Sequence, residues 1–420
     1  MSTVVIAAFG SRGDVAPFTG LGVRLRQAGH QVAIAACQPY AGLIRDAGLE
    51  YRWLPFDPSR GPRSEASRRY LDDGGSLRNV ARLASDALEI MRGVGPAIAD
   101  AAQDADILLT SVVSTTLGYH VAEGLGIPSA GVYALPTMPT GDFPPILADL
   151  PSLGRWGNRT MSKMMGLSER IYRGLVNELR RDLGLPPTTV RGILREQRER
   201  QWPILHGFSE HVVPRPRDWR PGLELTGYWW PQSPSSWEPP AELVDFLDAG
   251  PPPVFIGFGS NVVGLGDHYS ELLIEAVRKA GVRGVVQADW DGLAAAGDDV
   301  IAIGEAPYEW LFPRMAALVH HAGSGTTAAG LRAGVPAVPV PNVVDQFLWA
   351  KRLVTLGLAP EKIRQKRLTA DRLAAAIREV VGNPDYRLAT QAMAAKLKDE
   401  DGAVPVIDLV NRLTSTTARH

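Results

Sequence analysis

The stretch His321-Ala322-Gly323-Ser324-Gly325-Thr326-Thr327 decides how this chain is read. The apolar run Met315 to Val319 precedes it and reads as a buried strand. Ala328 to Ala333 follows it and reads as a helix. A strand, a glycine-rich turn and a helix N-terminus together make an anion site, because free backbone N–H groups point outward and the helix dipole favours negative charge. Gly323 and Gly325 permit close backbone approach to a ligand. Ser324, Thr326 and Thr327 add hydroxyl donors, and His321 adds an imidazole. This combination suits a phosphate or pyrophosphate. Asp345-Gln346, after the next apolar run, offers an acceptor-rich pair that suits sugar hydroxyls; read alone, it caps a helix entering at Phe347.

Working outward, apolar runs alternate with helical patterns through both halves of the chain. Val4 to Phe9, Gln31 to Ala36, Ile107 to Thr110 and Ser129 to Tyr133 read as strands in the first half. Val254 to Phe258, Val282 to Gln287, Val300 to Ile303, Ala316 to His320 and Ala337 to Val340 read as strands in the second. Such alternation predicts α/β architecture with two doubly wound, Rossmann-like parallel-sheet domains. Ligands in such sheets bind beyond the carboxyl ends of the strands, so the cleft between the domains is the expected site. We place an N-terminal domain at residues 1–213, a Pro- and Trp-rich linker at 214–240, and a C-terminal domain at 241–399. The last helical stretch lies within 400–420.

Composition narrows the function classes. The chain has 420 residues and a net charge of −1, so nothing argues for nucleic acid or an anionic membrane surface. Cys37 is the only cysteine, so no intrachain disulfide forms, and a reducing, cytoplasmic setting is expected. Met1 to Phe9 reads as a first strand rather than a signal peptide. No apolar run approaches the roughly 20 residues of a membrane span.

Four smaller motifs carry chemistry. Gly10-Ser11-Arg12-Gly13-Asp14 lacks the third glycine of the dinucleotide pattern, which weakens a nicotinamide reading. Asp14 is either a helix N-cap or a general base at the cleft mouth. His320 and His321 are adjacent on a strand and therefore face opposite ways, so they do not pair on one metal. Ser260, in Gly257-Phe258-Gly259-Ser260, is a phosphate donor or part of an ordinary strand-to-loop turn. Asp289-Trp290-Asp291 has the form of a metal-binding D-x-D triplet, a pattern common by chance; Trp290 fits better as a wall of a ligand site or as packing.

Together these motifs resemble the family of UDP- and TDP-sugar-dependent glycosyltransferases of the two-domain GT-B fold (family 1). The chain is most similar to the sterol 3β-glucosyltransferase-like branch, followed by the macrolide and glycopeptide antibiotic glycosyltransferases. Trp156-Gly157-Asn158-Arg159, Val213-Pro214-Arg215-Pro216-Arg217-Asp218-Trp219 and Gly227-Tyr228-Trp229-Trp230 resemble signatures of the sterol branch. Gly325 to Pro336, with Asp345-Gln346 behind it, is the most specific match.

The resemblance implies an inverting single displacement from a nucleotide sugar, with no cofactor and no metal. It implies donor contacts at Ser11, Gly13, Ser260, Trp290, Ala306, His321, Gly323, Ser324, Gly325, Thr326, Asp345 and Gln346. It implies Asp14 as the general base, and a last helix that crosses back onto the N-terminal domain. An apolar alcohol is the expected acceptor, a polyketide, macrolide or sterol-like molecule. Met138 and Phe143 are its expected contacts, within apolar stretches at Leu135 to Leu150 and Met161 to Met165. No nucleic-acid partner is expected. His120 is the next residue to test as base should Asp14 not serve. The family often has Gly where this chain has Ala322. A nucleotide-sugar 2-epimerase and a non-catalytic auxiliary protein of the same fold are the alternatives; the apolar middle region argues against the first. Retention of Asp14, His321 and Asp345 together argues against the second.

Overall fold

Seven strands form the first sheet: β1 (Thr3–Ala7), β2 (Gln31–Ala36), β3 (Glu50–Trp53), β4 (Ile107–Thr110), β5 (Ser129–Tyr133), β6 (Ile204–His206) and β7 (Leu223–Leu225). Five form the second: β8 (Val254–Gly257), β9 (Gly284–Gln287), β10 (Val300–Ile303), β11 (Ala317–His320) and β12 (Ala337–Pro339). The computed structural model describes residues 1–55, 88–146, 149–165, 170–233, 237–259, 266–287 and 297–417. Among them, every strand pairing is parallel, in the orders β3-β2-β1-β4-β5-β6-β7 and β10-β9-β8-β11-β12. Both orders reverse beside the first strand of their sheet. Val4 lies opposite Val32 on one side and Ile107 on the other. Phe255 lies opposite Val285 and Leu318.

The central strands are near-continuous Val, Ile, Leu and Ala because helices cover both faces of each sheet. The helices used below are α1 (Arg12–Gln27), α2 (Thr115–Leu125), α3 (Gly154–Met165), α4 (Arg173–Asp182), α5 (Ser324–Ala333), α6 (Gln346–Thr355), α7 (Pro384–Lys398) and α8 (Val404–Thr417). Val406, Leu409 and Val410 of α8 join the N-terminal core with Val4, Ile6 and Leu109. The return crossing to α8 is stitched to the forward one: Trp229 Nε1 donates to the Gly402 carbonyl at 2.9 Å, and Arg24 pairs with Asp401 at 2.7 Å.

The segment 214–240 is not all linker. Leu223, Glu224 and Leu225 pair with Ile204, Leu205 and His206, so β7 completes the first sheet and the crossing begins beyond it. A three-residue Leu-Glu-Leu alternation is too short to stand out among prolines and tryptophans. One hydrophobic cluster runs from Tyr133 and Phe208 of the N-terminal domain to Trp349 and Phe312 of the C-terminal one. The Phe208 and Trp349 rings meet edge-on at 6.0 Å. Among the described residues, no helix is long and apolar enough to cross a membrane.

Candidate active site

The two sheets turn their carboxyl edges toward one cleft, and the reversal point of each sheet contributes a turn to it. At the first, β1 leads through Phe9 and Gly10 into α1. Ser11, not Asp14, is the N-cap of this helix, and Asp14 occupies the third helical position. The Ser11 N–H and the Ser11 hydroxyl both donate to Asp14 Oδ2, at 2.7 and 2.9 Å. Gly10 adopts φ +140°, and a β-carbon there would collide with that same carboxylate. The turn is thus shaped around Asp14. Burial raises the Asp14 carboxyl above its ordinary range, opposed by the two Ser11 donors. Ser111 and Ser114, beyond β4, brace the turn. Ser111 Oγ accepts the Phe9 N–H at 3.2 Å, and Ser114 Oγ donates to the Ala7 carbonyl at 2.6 Å.

At the second reversal point, β11 leads into α5 through His321, Ala322 and Gly323. His320 is fully buried, and its Nδ1 accepts the Ala322 N–H at 3.0 Å. His321 faces the other way, as alternation on a strand requires. Its ring lies over Gly323, where a β-carbon would collide with Nε2. Burial lowers the His321 pKa to about 4, against an opposing pull from the Gly257 backbone, so the imidazole is neutral at pH 7. Ala322 takes φ +62°, a left-handed conformation that costs about 1–2 kcal/mol for a residue with a β-carbon. No side chain caps α5. The first amides of a helix have no intrahelical partner, and here they open on the cleft beside Ser324, Gly325 and Thr326.

Asp345 and Gln346 follow a second strained position, Val344 at φ +49°. Asp345 Oδ2 accepts the Trp349 indole N–H at 2.9 Å. Burial pushes Asp345 up to about 6; the Trp349 bond opposes this and the negative charge of Asp14 adds to it. Two carboxylates from different domains therefore feel each other across the cleft. Gln346 is buried, and its Oε1 accepts the N–H groups of Asn342 and Val343 at 2.8 and 3.1 Å. Its acceptor oxygen therefore fixes the loop that presents Asp345.

The walls bind each other at both ends. Arg12 pairs with Glu305 at 2.8 Å, joining the first turn to the Gly304-Glu305-Ala306-Pro307 loop that carries Ala306. Ser324 Oγ reaches the Ala134 carbonyl of the N-terminal domain at 3.4 Å. At the far end, Asp149 accepts from Lys362 Nζ at 2.7 Å and Arg364 Nε at 2.8 Å. Met138 and Phe143 lie on the loop between, half-buried against the interdomain cluster. Asp218 holds this loop, accepting the Thr140 hydroxyl at 2.7 Å and the Gly141 N–H at 3.0 Å. Asn158 donates to the Gly141 carbonyl at 3.1 Å.

The structure thus gathers Ser11, Gly13, Asp14, Ala306, His321, Gly323, Ser324, Gly325, Thr326, Asp345 and Gln346 around one cleft. Ser260 and Trp290 lie outside the described residues, as does Asp289-Trp290-Asp291. His120 does not belong to the cleft. It is buried on α2 with its Nδ1 against Arg180 Nη1 at 2.8 Å, and burial followed by the Arg180 charge lowers its pKa to about 4. Position near a strand end did not reveal that α4 covers it. Met164 also departs from the acceptor lining, being exposed. Arg12, Ser111, Ser114, Asp149, Trp349, Lys362 and Arg364 escaped sequence reading because each acts through a partner at least four positions away, most of them a hundred or more.

Comparison with known proteins shows the family. Residues 4–143 match the glycosyltransferase family 28 N-terminal domain, and residues 282–413 match the erythromycin biosynthesis protein CIII-like C-terminal domain. The chain is 31% identical to the sterol 3-beta-glucosyltransferase UGT80B1 of Arabidopsis thaliana over 97% of its own length and 68% of that protein's. It is 33% identical to O-mycaminosyltylonolide 6-deoxyallosyltransferase of Streptomyces fradiae, with 98% of each chain covered. It spans 28% of the length of the sterol 3-beta-glucosyltransferase of Leptosphaeria maculans. Among solved structures, the kitacinnamycin glycotransferase superposes with a TM-score of 0.74 at 19% identity, covering 98% of this chain and 99% of that one. The glycosyltransferase VinC, solved in complex with DTDP, superposes at 0.70 with 19% identity, covering 99% and 100%. The chain belongs to the GT-B glycosyltransferases that include the sterol 3-beta-glucosyltransferases and the macrolide glycosyltransferases, and it is a glycosyltransferase.

Proposed function

We propose that this enzyme moves a hexose or deoxyhexose from a UDP- or TDP-sugar to a hydroxyl of an apolar acceptor, with inversion at the anomeric carbon. The acceptor class is a polyketide, a macrolide or a sterol-like alcohol. The observation that carries this reading is the facing of two reversal points: an acid on the N-terminal turn opposite a helix N-terminus and an acid on the C-terminal side. The α5 amides, Ser324, Thr326 and the His321 imidazole hold the diphosphate. Charge that develops on the leaving diphosphate in the transition state meets donors already oriented toward it. Asp345 accepts from a sugar hydroxyl, and Gln346 keeps Asp345 in place.

Asp14 removes the acceptor proton as the oxygen attacks the anomeric carbon and the bond to the diphosphate breaks. Its raised pKa makes it a better base than an ordinary aspartate. The shape of Gly10 and the two Ser11 donors fix one carboxylate oxygen and leave the other for the acceptor. Support for an apolar acceptor comes from the relatives, a sterol 3-beta-glucosyltransferase and O-mycaminosyltylonolide 6-deoxyallosyltransferase, with Met138 and Phe143 on the loop beside the cleft. The proposal routes no step through a metal: the α5 amides, Ser324, Thr326 and His321 are the donors that meet the leaving diphosphate.

The test is a donor screen of the full chain with UDP-glucose and TDP-deoxysugars against apolar alcohols, read by mass spectrometry. A product heavier than the acceptor by one sugar, with inverted anomeric configuration by NMR, is expected. Hydrolysis or 2-epimerisation of donor with no acceptor product would overturn it.

A further inference from the structure

Helix α3 presents an unusual surface. Trp156, Thr160 and Met164 recur every fourth residue and so form one stripe along it. Trp156 is 83% exposed and Met164 65% exposed, and Leu153, just before the helix, is 62% exposed. Arg155, Arg159 and Lys163 recur with the same spacing one position earlier, which sets a basic stripe beside the apolar one. The helix sequence Gly154–Met165 contains no Asp or Glu. Its third face is held inside: Asn158 is buried, accepts the Leu153 N–H at 3.0 Å and donates to Gly141. Arg155 leans on Asp142 at 3.3 Å and Arg159 on Asp218 at 3.6 Å. More than half of each arginine side chain remains in water, whereas both carboxylates are largely covered.

We propose that α3 is a docking surface for an anionic lipid bilayer. Trp156, Met164 and Leu153 seat at the acyl boundary, while Arg155, Arg159 and Lys163 meet headgroup phosphates. The chemistry favours a bilayer over a protein. Three apolar side chains are too few for the core of a stable protein interface, which buries roughly 800 Å² on each partner. Shallow insertion of a short amphipathic helix needs no more than such a stripe, a tryptophan at the boundary and basic residues alongside. The net charge of −1 conceals this local arrangement.

The placement also has a consequence for catalysis, which rests on the acceptor class proposed above. Thr140, Gly141 and Asp142 of the acceptor loop are tied to α3 or to Asp218, so the docking face and the loop form one unit. An apolar alcohol dissolved in the bilayer then meets the acceptor loop without crossing water.

The experiment is sedimentation of the full chain with vesicles of equal parts phosphatidylcholine and phosphatidylglycerol, and with phosphatidylcholine alone. We expect preferential binding to the anionic vesicles and release at high salt, since screening weakens the headgroup contacts. Trp156→Ser combined with Met164→Ser, and separately Lys163→Glu, should each lower the bound fraction roughly tenfold. All these side chains are exposed, and matching circular dichroism melts will show that the variants fold. Equal binding of wild type to both vesicles, no binding, or unchanged binding by the variants overturns the proposal. So does self-association in the ultracentrifuge that Trp156→Ser/Met164→Ser abolishes, which would make the face a protein interface. If no acceptor is glycosylated in any presentation, the proposed function fails while sedimentation still decides the docking.

Discussion

Asp14, the base of the proposed mechanism, presents the clearest conflict between stability and function. Burial makes the Asp14 carboxylate costly to keep ionised, which is why its pKa rises. With the folded pKa above the unfolded one, the folded state holds its proton more tightly. Stability from this group is therefore present at low pH and is lost as pH rises through the folded pKa. Asp14→Asn should accordingly melt at the same or a higher temperature than wild type at pH 7, with the difference shrinking toward pH 4. Asn still accepts the Ser11 N–H, so the cap survives, but it cannot take a proton. Turnover should fall roughly 10²–10⁴-fold with nucleotide affinity little changed. Near-normal turnover of a folded variant, under conditions where chemistry limits the rate, would remove Asp14 from the role of base. The role of this residue was only half legible. Gly13 and Pro17 disfavour helix, so the periodic pattern starts at Phe18 and makes Asp14 look like a cap. In the fold, Ser11 starts the helix earlier and Asp14 becomes the reciprocal partner of that cap.

The strand–turn–helix from β11 to α5 was the most legible element, because the role proposed for it depends on backbone groups that local sequence positions directly. Glycines, hydroxyls and the preceding apolar run are all contiguous. Strands β3, β6 and β7 were not read, since β3 is polar and at an edge and the other two are three residues long. Turning His321 toward the cleft leaves a neutral imidazole whose ring lies over Gly323. A diphosphate seated at α5 favours the protonated ring, so its pKa must rise on binding. Binding should therefore take up protons and strengthen as pH falls from the bound-state pKa toward about 4. Calorimetry in buffers of different ionisation enthalpy measures the uptake. His321→Ala should abolish it and weaken UDP or TDP binding by about 1–3 kcal/mol. Unaltered proton uptake in the folded variant would place the titrating group elsewhere.

Across the whole molecule, the cleft is held at both ends by charges, and these tune how the halves approach. Arg12 and Glu305 are both well exposed, so their pair is screened and contributes little. Asp149 differs. Burial alone would raise its carboxyl, but hydrogen bonds from Lys362 and Arg364 outweigh burial and hold it below its ordinary range. A depressed carboxylate contributes stability above the unfolded pKa and loses it as pH falls through the folded one, so this clasp is intact at neutral pH and fails only in acid. The clasp joins the loop proposed to meet the acceptor to the C-terminal domain and passes close to α6, where Arg364 faces the Phe347 ring at 5.9 Å. Loosening it should leave the donor site standing and disturb the acceptor side. Asp149→Asn is therefore expected to raise the acceptor KM several-fold, with donor affinity by calorimetry unchanged. Arg12→Ala should change either constant by less than twofold. The reverse ranking, with Arg12 dominant and Asp149 silent, would show that closure is governed at the base-side loop and not at the acceptor loop.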